Sequence, residues 1–393
     1  MSTTSSAIAS HRPGIAGGPR SNWISSLLRQ VAFYRGAPKR ERNDPDFEWR
    51  WFAEMQQPPP RPAPAVILKD AAKRVVRTAL RMPAAAVATE PDPSSPEWLE
   101  ANAGSLWEAR QMLADDLSKL LFDSVLVLRT TDPGQYFFPR IDFDEFVTVL
   151  REEPFQSAEL PRDYLGLPLL QLEIEVQGLG RRLTTVTTKI QIDLLNGYRQ
   201  YLVRRDGTSV APREGEIVLD CGACIGEVSL LFANLVGDRG EVHLFDPVPL
   251  HARYCQLQAS LNPALAHTLH VNSLAIGETS RAVEGVRADS ARIAPGGLAI
   301  DRFSVTSIDD YVEQHGLARV DFVKMDIEGA ELDAVRGAAS VLRRHRPRLA
   351  VSAYHRPADL WQIPFTLREI QPGYRFFFGH HSPIKWESVF YAV

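Results

Sequence analysis

The sequence predicts an α/β protein built on a parallel sheet, and features of its C-terminal half support this class. After residue 206, short apolar runs alternate with segments whose apolar residues recur at helical spacing. Alternation of strands and helices is typical of a parallel sheet with right-handed crossovers. The last two apolar runs, YRFFF (374–378) and SVFYAV (388–393), have no helical segment between them. We therefore expect an antiparallel hairpin at one edge of the sheet.

Composition places the chain among soluble globular proteins. Its 393 residues are 45% hydrophobic and 23% charged, and the net charge of −4 argues against a dedicated nucleic-acid-binding protein. Its three cysteines give no disulfide framework. No apolar run approaches the roughly 20 residues that span a bilayer. The first 20 residues lack the apolar segment of a secretory signal, so we expect a cytoplasmic location.

Residues 1–98 are predicted to form a partly disordered, basic and proline-rich extension. Residues 1–82 carry 14 Lys and Arg against 6 Asp and Glu. The segments QQPPPRPAPA (56–65) and EPDPSSPE (90–97) are typical of linkers. The serine-rich, acid-free start fits a transit peptide or a disordered tail, and we favour the tail. Residues 66–82 predict a basic amphipathic helix that could lie on an anionic membrane or dock onto the body, and we favour docking.

Residues 99–205 are predicted to form a small α/β cap. Residues 105–131 have the pattern of one or two helices. The segments 169–177 and 181–192 alternate apolar and polar residues on either side of GLG, which predicts a β-hairpin.

Residues 206–393 are predicted to form the main α/β domain. Its predicted strands before the final hairpin are 216–220, 241–246, the start of 268–277, 320–326 and 348–354. Its predicted helices are 226–236, 249–262, 307–316 and 330–347.

The turn DCGACIG (220–226) joins a strand to a helix, at the edge where parallel sheets bind ligands. Gly222 and Gly226 allow a tight bend and close approach of a ligand to the backbone. Asp246 ends the next strand, 20 residues beyond Gly226, where a carboxylate can bind both hydroxyls of a ribose. The spacing D-x-G-x-x-x-G differs from the G-x-G-x-x-G of dinucleotide sites. It suits an adenosine ligand without phosphates, such as S-adenosylmethionine.

Cys221 and Cys224 have a C-x-x-C spacing, which raises a redox or zinc-binding alternative. A zinc site needs two further ligands, and Cys255 supplies no second pair. We favour the interpretation that both cysteines are small side chains in a tight turn, and no metal site is predicted.

Four segments together resemble the FkbM-type S-adenosylmethionine-dependent methyltransferases. The resemblance runs from about residue 206 to the C-terminus, with KMDIEGAE its most specific part, and residues 1–98 show none. The segments are EIVLDCGACIGEVSLLFA, VHLFDPVPLHARYCQLQASLN, VDFVKMDIEGAELDAVRGA and LAVSAYHRPADLWQIP.

This resemblance implies a class I methyltransferase fold, a Rossmann-like sheet of seven strands. It also implies that Asp246 binds the ribose hydroxyls and that Asp326, after the fourth strand, lies near the transferred methyl group. The other residues implied to contact the cofactor follow the first, second and third strands: Asp220, Gly222, Ala223, Cys224, Gly226, Glu227, Ser229, Pro247, Asn272, Ser273 and Leu274.

Methyl transfer to a hydroxyl needs alignment and a group that accepts the proton. Lys324, Asp326 and Glu328 alternate at period two, so they face one way if the chain stays extended. His355 follows the next strand and is a candidate base. Each has a structural alternative: acids favour a helix start, Lys324 can pair with an acid, and His355 can be a satisfied core residue. Asp326 and Glu328 could bind Mg²⁺, although two carboxylates alone predict this poorly.

Four further side chains receive weaker predictions. Tyr201 could cover the cofactor from the cap, but packing is favoured, and Tyr354 is predicted to be a core residue. His380 and His381 are placed at the rim of the site, without a metal.

The favoured function is O-methylation of a small molecule, with a sugar or polyketide-type acceptor implied by the resemblance alone. The alternatives are a nitrogen acceptor, a binding or scaffold module that keeps the fold, and a nicotinamide-dependent dehydrogenase, which the glycine spacing disfavours.

Overall fold

The computed structural model describes residues 18–36, 91–131, 136, 146–164, 166–177, 181–189, 191–192, 199–205, 207–284, 302–382 and 385–393. The predictions for the first 17 residues, the linker 56–65 and the basic helix 66–82 lie outside the described residues. Within the described residues, no helix combines the length and the apolar character needed to cross a membrane.

The N-terminal part contains four helices and six strands among its described residues. The helices are α1 (Pro19–Gly36), α2 (Pro96–Ala101), α3 (Ala103–Met112) and α4 (Asp116–Thr130). The strands are β1 (Val147–Pro154), β2 (Asp163–Tyr164), β3 (Leu167–Val176), β4 (Arg182–Thr188), β5 (Val203–Arg205) and β6 (Thr208–Val210).

The C-terminal part alternates strands and helices. Its strands are β7 (Ile217–Cys221), β8 (Glu241–Phe245), β9 (Leu269–Asn272), β10 (Leu274–Ile276), β11 (Arg281–Glu284), β12 (Arg302–Thr306), β13 (Phe322–Met325), β14 (Arg348–Ser352), β15 (Phe376–His380) and β16 (Ser388–Ala392). Its helices are α5 (Glu227–Val236), α6 (Pro249–Leu261), α7 (Ile308–Gln314), α8 (Glu331–Arg336), α9 (Ala339–Arg344) and α10 (Asp359–Ile370).

The central sheet has seven strands in the order β15-β16-β14-β13-β7-β8-β9. The five strands from β14 to β9 run parallel, and β16 pairs antiparallel with both β14 and β15. The strands are buried and apolar because helices or strands cover both faces, as parallel sheets require. The predicted α/β class is confirmed, and β7, β8, β9, β13 and β14 lie at the predicted positions.

The two faces of the central sheet have separate cores. One core joins the sheet to α1–α4 and α7–α10, and the other joins it to α5 and the small antiparallel sheet of β1, β3 and β4. Residues 99–205, expected to form one cap, therefore contribute helices to one face and strands to the other. The predicted hairpin is confirmed, because β3 and β4 pair antiparallel from Leu169 to Arg182.

Helix α1 is a packed element within the N-terminal extension. Its side chains Trp23, Leu27 and Val31 are buried in the same core as α3 and α4. The indole Nε1 of Trp23 donates a hydrogen bond of 2.9 Å to Asp123, which also pairs with Arg110 at 2.8 Å. An apolar stripe and a satisfied indole fix this helix to the domain.

The single helix predicted for 330–347 is wrong, because the chain forms α8 and α9 with a break at Gly337 and Ala338. The carbonyl of Gly337 accepts a hydrogen bond of 2.9 Å from the backbone N–H of Asp309, at the start of α7. A Cβ on Gly337 would lie 2.3 Å from the carbonyl oxygen of Gly277. Close backbone packing at this glycine, which the helical pattern does not encode, interrupts the helix.

Substitution of this glycine tests that contact. We expect Gly337→Ala to lower the free energy of unfolding by about 2 kcal/mol, the usual cost of overpacking. The matched control is Gly104→Ala in α3, where the nearest neighbour of the new Cβ is a flexible arginine end at 3.6 Å. Urea unfolding followed by circular dichroism measures both, and equal stability of the two variants would contradict the close packing.

Candidate active site

The turn after β7 requires both of its glycines. Gly222 and Gly226 have φ angles of +86° and +87°, in the left-handed region. A Cβ on Gly222 would lie 1.9 Å from the carbonyl oxygen of Asp326, and one on Gly226 would lie 3.0 Å from Cys255 Sγ. The predicted tight bend is confirmed, and it brings the end of β7 against the end of β13.

The turn lies directly against the carboxylate that follows β8. The backbone N–H groups of Gly222 and Ala223 both donate to the carbonyl of Phe245, at 2.9 and 3.0 Å. The N–H of Cys224 donates to Asp246 Oδ2 at 3.1 Å. On the other side, the N–H of Asp246 donates to the carbonyl of Asn272 at 3.2 Å. The ends of β7, β8 and β9 therefore meet at one place.

Two side chains near the turn, His251 and Glu227, have buried polar atoms without a hydrogen bond among the described residues. Both ring nitrogens of His251 and the Oε2 atom of Glu227 are buried without one. His251 Nδ1 lies 2.9 Å from Asp246 Oδ1. Burial raises the pKa of Glu227 to about 7. Buried groups of this kind normally have a partner, so they mark a place where a polar ligand fits.

A buried ion pair lies beneath the turn. Asp220 is fully buried, and its Oδ1 lies 2.9 Å from the ammonium of Lys324 on the neighbouring strand. Ser229 Oγ donates to Asp220 Oδ2 at 2.5 Å, and Lys324 Nζ donates to the carbonyl of Gly222 at 2.6 Å. Burial lowers the pKa of Lys324, but the charge of Asp220 outweighs this and raises it above its ordinary value. Lys324 therefore supports the turn from below.

Asp326 accepts a hydrogen bond from each of two tyrosines. Tyr201 donates to Oδ2 at 3.1 Å and Tyr354 donates to Oδ1 at 2.9 Å. Burial and the nearby carboxylates raise the pKa of both phenols, so both keep their protons at neutral pH. The packing roles favoured for these tyrosines are therefore incomplete, because both orient the carboxylate at the end of β13.

Glu328 does not continue the line of Lys324 and Asp326. Strand β13 ends at Met325, and Glu328 has a φ of +58° in the following turn. Its side chain is 66% exposed. The condition for the three side chains to face one way is not met, because the turn of Glu328 and Gly329 redirects the chain toward α8.

Three carboxylates lie around the imidazole of His355. Its Nδ1 lies 2.9 Å from Glu331 Oε1, and its Nε2 lies 3.6 Å from Asp326 and 3.8 Å from Glu328. Burial lowers the pKa of His355, but these carboxylates, Glu331 foremost, outweigh burial and raise it to about 9. The predicted role as a neutral general base conflicts with this environment, because the imidazole is protonated at neutral pH.

Glu387 belongs to the same cluster and escaped the sequence analysis. Its Oε2 accepts a hydrogen bond of 2.5 Å from Gln200, and burial together with the charge of Asp326 raises its pKa to about 7. A signal was present in the topology: β16 runs antiparallel, so the residue before it lies at the same sheet edge as the residues after β14. The carbonyl of Ser388 accepts from the N–H of Ala353 at 2.8 Å, which places Glu387 beside Tyr354.

The remaining residues predicted for the site differ in their burial and in their contacts. Pro247 and Leu274 are half-buried and Ser273 is exposed. Asn272 donates to the carbonyls of Leu244 and His270, so its side chain is already engaged within the protein. His380 and His381 are buried, 5% and 4% exposed, and contact Ser388 and Tyr391. The rim position predicted for these two histidines is wrong, because the hairpin encloses them.

The cysteines of the turn are free thiols. Burial raises the pKa of both Cys221 and Cys224, which disfavours thiolate chemistry. The thiol of Cys224 lies 2.8 Å from the hydroxyl of Tyr164, so β2 also reaches the turn.

A cavity of about 270 Å³ lies between α3, α10 and β15 and includes Glu108, Arg368 and Tyr374 in its lining. None of its lining residues belongs to the glycine turn or to the polar clusters around Asp246 and Asp326.

The His355 environment predicts a pH-dependent contribution to stability. Its pKa is about 9 in the folded chain against 6.5 for the free side chain, so its ion pairs stabilise fully below pH 6.5. That contribution, about 3 kcal/mol at most, is lost as the pH rises through 9. We expect the difference in unfolding free energy between wild type and His355→Gln to shrink between pH 6.5 and 9.5, as measured by urea denaturation. His267→Gln, an exposed histidine, is the control, and a pH-independent difference for His355→Gln would contradict the protonated imidazole.

Part of the chain is similar to a known protein family. Residues 220–380 match the family model described as the methyltransferase FkbM domain. No curated protein matches the chain.

Similar solved structures include a methyltransferase FkbM from Methylobacillus flagellatus KT, with 24% identity and a TM-score of 0.49 over 75% of this chain and 60% of that one. This chain therefore spans less than two thirds of that protein. Fibrillarin from Aeropyrum pernix with natively bound S-adenosyl-L-methionine has 16% identity and a TM-score of 0.31, over 64% of this chain and 100% of that one. A SAM-dependent methyltransferase from Aquifex aeolicus has 17% identity and a TM-score of 0.27, over 46% and 82%. The family match covers residues 220–380, and over that segment the chain is similar to the FkbM methyltransferase domain.

Proposed function

We propose that this protein is an S-adenosylmethionine-dependent methyltransferase that acts on a hydroxyl group of a small molecule. The observation that carries the proposal is the contact between the glycine turn and Asp246, with Asp326 against the same turn. The match to a family of methyltransferases indicates the type of reaction, and the contacts at the site indicate the candidate residues.

The residues at this place fit the cofactor. The absence of a side chain at Gly222 leaves the turn open to a close backbone approach. Asp246 is 12% exposed and accepts from the N–H groups of Cys224 and Val248. Each carboxylate oxygen has two acceptor positions, so a ribose hydroxyl can bind Asp246 beside His251. The unpartnered Oε2 of Glu227 offers a further acceptor for the ammonium of the methionine part.

The charge of the site favours a sulfonium over a dinucleotide. Carboxyl groups outnumber cations there, since Asp326, Glu331 and Glu387 surround His355, and Lys324 is already paired with Asp220. A pyrophosphate would be repelled by this excess of negative charge, whereas a cation is stabilised by it. This argument weighs against the dehydrogenase alternative.

When bound, S-adenosylmethionine supplies an activated methyl group, so the protein has to provide alignment and a place for one proton. Asp326 is the best-placed acceptor for the hydroxyl proton, because two phenols fix its carboxylate at the end of β13. The protonated His355 lies 3.6 Å from the same carboxylate and holds it in position. Glu387 lies in the same cluster, where burial and the charge of Asp326 raise its pKa to about 7.

Calorimetry with S-adenosylmethionine tests the cofactor assignment. We expect Asp246→Ala to bind about 5- to 150-fold more weakly than wild type, corresponding to about 1–3 kcal/mol for a lost buried acceptor. Asp238→Ala, whose carboxylate is 64% exposed and pairs with Arg181, is the control and keeps wild-type affinity. Binding of NAD in place of S-adenosylmethionine would support the dehydrogenase, and unchanged affinity in Asp246→Ala would contradict the ribose assignment.

Methyl transfer tests the role of Asp326. The wild-type chain is incubated with methyl-labelled S-adenosylmethionine and a filtrate of cellular small molecules. We expect labelled products stable to alkali, as methyl ethers are, and a loss of at least about 100-fold in Asp326→Asn.

The Asp238→Asn control retains the full rate in this assay. Cofactor binding without transfer to any small molecule would favour the scaffold alternative, and labelled amines would shift the acceptor to nitrogen.

A further inference from the structure

A cluster of two histidines and one glutamate lies on the central sheet, outside the site described above. Glu241 and His243 share one face of β8, and His270 is the register partner of His243 on β9. The two imidazole rings stack with centroids 4.6 Å apart. Glu241 Oε2 lies 3.2 Å from His243 Nε2 and 3.8 Å from His270 Nε2.

The hydrogen bonds around His243 determine which of its nitrogens carries the proton. The Asn272 amide nitrogen donates to two carbonyls, those of Leu244 and His270, so its Oδ1 must be an acceptor. Tyr311 therefore donates its hydroxyl proton to Asn272 Oδ1, at 3.3 Å. With that proton engaged, the Tyr311 oxygen accepts from His243 Nδ1, which lies 2.8 Å away.

This arrangement leaves two acceptors facing each other. A neutral His243 protonated at Nδ1 presents a lone pair at Nε2, and that atom points at the carboxylate of Glu241. A second proton on the ring would remove the conflict, but the side chain is only 5% exposed and lies against a second imidazole. Burial without a full counter-charge disfavours the imidazolium. A metal cation between the three ligand atoms removes the conflict without that cost.

We propose that Glu241, His243 and His270 bind a divalent transition-metal ion, for which Zn²⁺ is the best match. Their three ligand atoms lie within 4.8 Å of one another. A tetrahedral zinc site with bonds of 2.0–2.1 Å separates its ligand atoms by about 3.3 Å, near the 3.2 and 3.8 Å from Glu241 Oε2 to the two imidazole nitrogens. The stacked rings lie 19° from parallel, so the exposed His270 side chain has to turn for its in-plane lone pair to face the same ion as His243. Two imidazoles and a carboxylate suit zinc and leave a fourth position for water. The Tyr311 hydroxyl holds His243 in the tautomer that a metal requires.

The position of the cluster gives the ion a structural role. Strand β9 is the edge strand of the central sheet, and the ion would join it to β8. His270 and Glu241 are 44% and 43% exposed, so the ion can enter from solvent. Asn272, which ends β9, contacts Asp246 through its backbone, and a firmly held edge strand keeps that contact in place.

Zinc titration of the full chain, freed of metal with a chelator that is then removed, tests the proposal. We expect one Zn²⁺ per chain at this site with micromolar or tighter affinity, a higher melting temperature with zinc, and no shift with millimolar Mg²⁺. Co²⁺ in place of Zn²⁺ gives the visible absorption of a four-coordinate site. His270→Ala and Glu241→Gln are expected to weaken zinc binding at least 10-fold, and both alter exposed side chains that leave the fold intact.

The control is His267→Ala, an exposed histidine on the same edge, and it keeps wild-type zinc affinity. A separate cluster of Asp326, Glu331 and His355 also brings three ligand atoms together, so His355→Gln is measured in parallel. Equal zinc binding by wild type and His270→Ala would overturn the proposal. So would a loss of zinc binding in His355→Gln alone.

Discussion

The buried ion pair of Asp220 and Lys324 is the interaction on which the rest of the site depends. It joins two neighbouring strands, and each partner makes a further bond, Asp220 to Ser229 and Lys324 to the carbonyl of Gly222. A buried pair of this kind gives little net stability, because desolvation offsets the attraction. Removing one partner, however, leaves a buried charge, so the pair fixes how the turn, β13 and α5 fit together. The turn can then approach Asp326 and Asp246 without a side chain at Gly222.

Next to this pair, Glu331, His355 and Asp326 form a chain of contacts. Glu331 is fully buried and accepts from the N–H of Ile327 at 2.8 Å while it faces His355. His355 then lies near Asp326, which two phenols also hold. A carboxylate that is oriented from three directions loses little freedom when an acceptor binds, and this is the condition that proximity catalysis needs.

The sequence predicted the elements that follow from local patterning. Strands β7, β8, β9, β13 and β14, the glycine turn and its contact with Asp246 could all be located, because apolar period and glycine spacing are local properties. The roles of Tyr201, Tyr354 and Glu387 could not, since each depends on contacts between segments far apart in the chain. The protonation of His355 was missed for the same reason. Glu331 is an ordinary acid at a helix start by sequence, and only the fold places it 2.9 Å from that imidazole.

The site is completed by residues outside the segment that matches the family. That segment covers residues 220–380, which contain Gly222, Asp246 and Asp326. Tyr164 and Tyr201 precede it, and Glu387 follows it. Tyr164 contacts Cys224 and Tyr201 contacts Asp326. Glu387 lies close enough to Asp326 for the charge of Asp326 to raise its pKa. The residues proposed to bind the cofactor therefore lie in the matched segment, while part of the wall around Asp326 is contributed by segments that the family match does not include. Under the proposed function, an acceptor would lie against that wall, so its selection would depend on those segments.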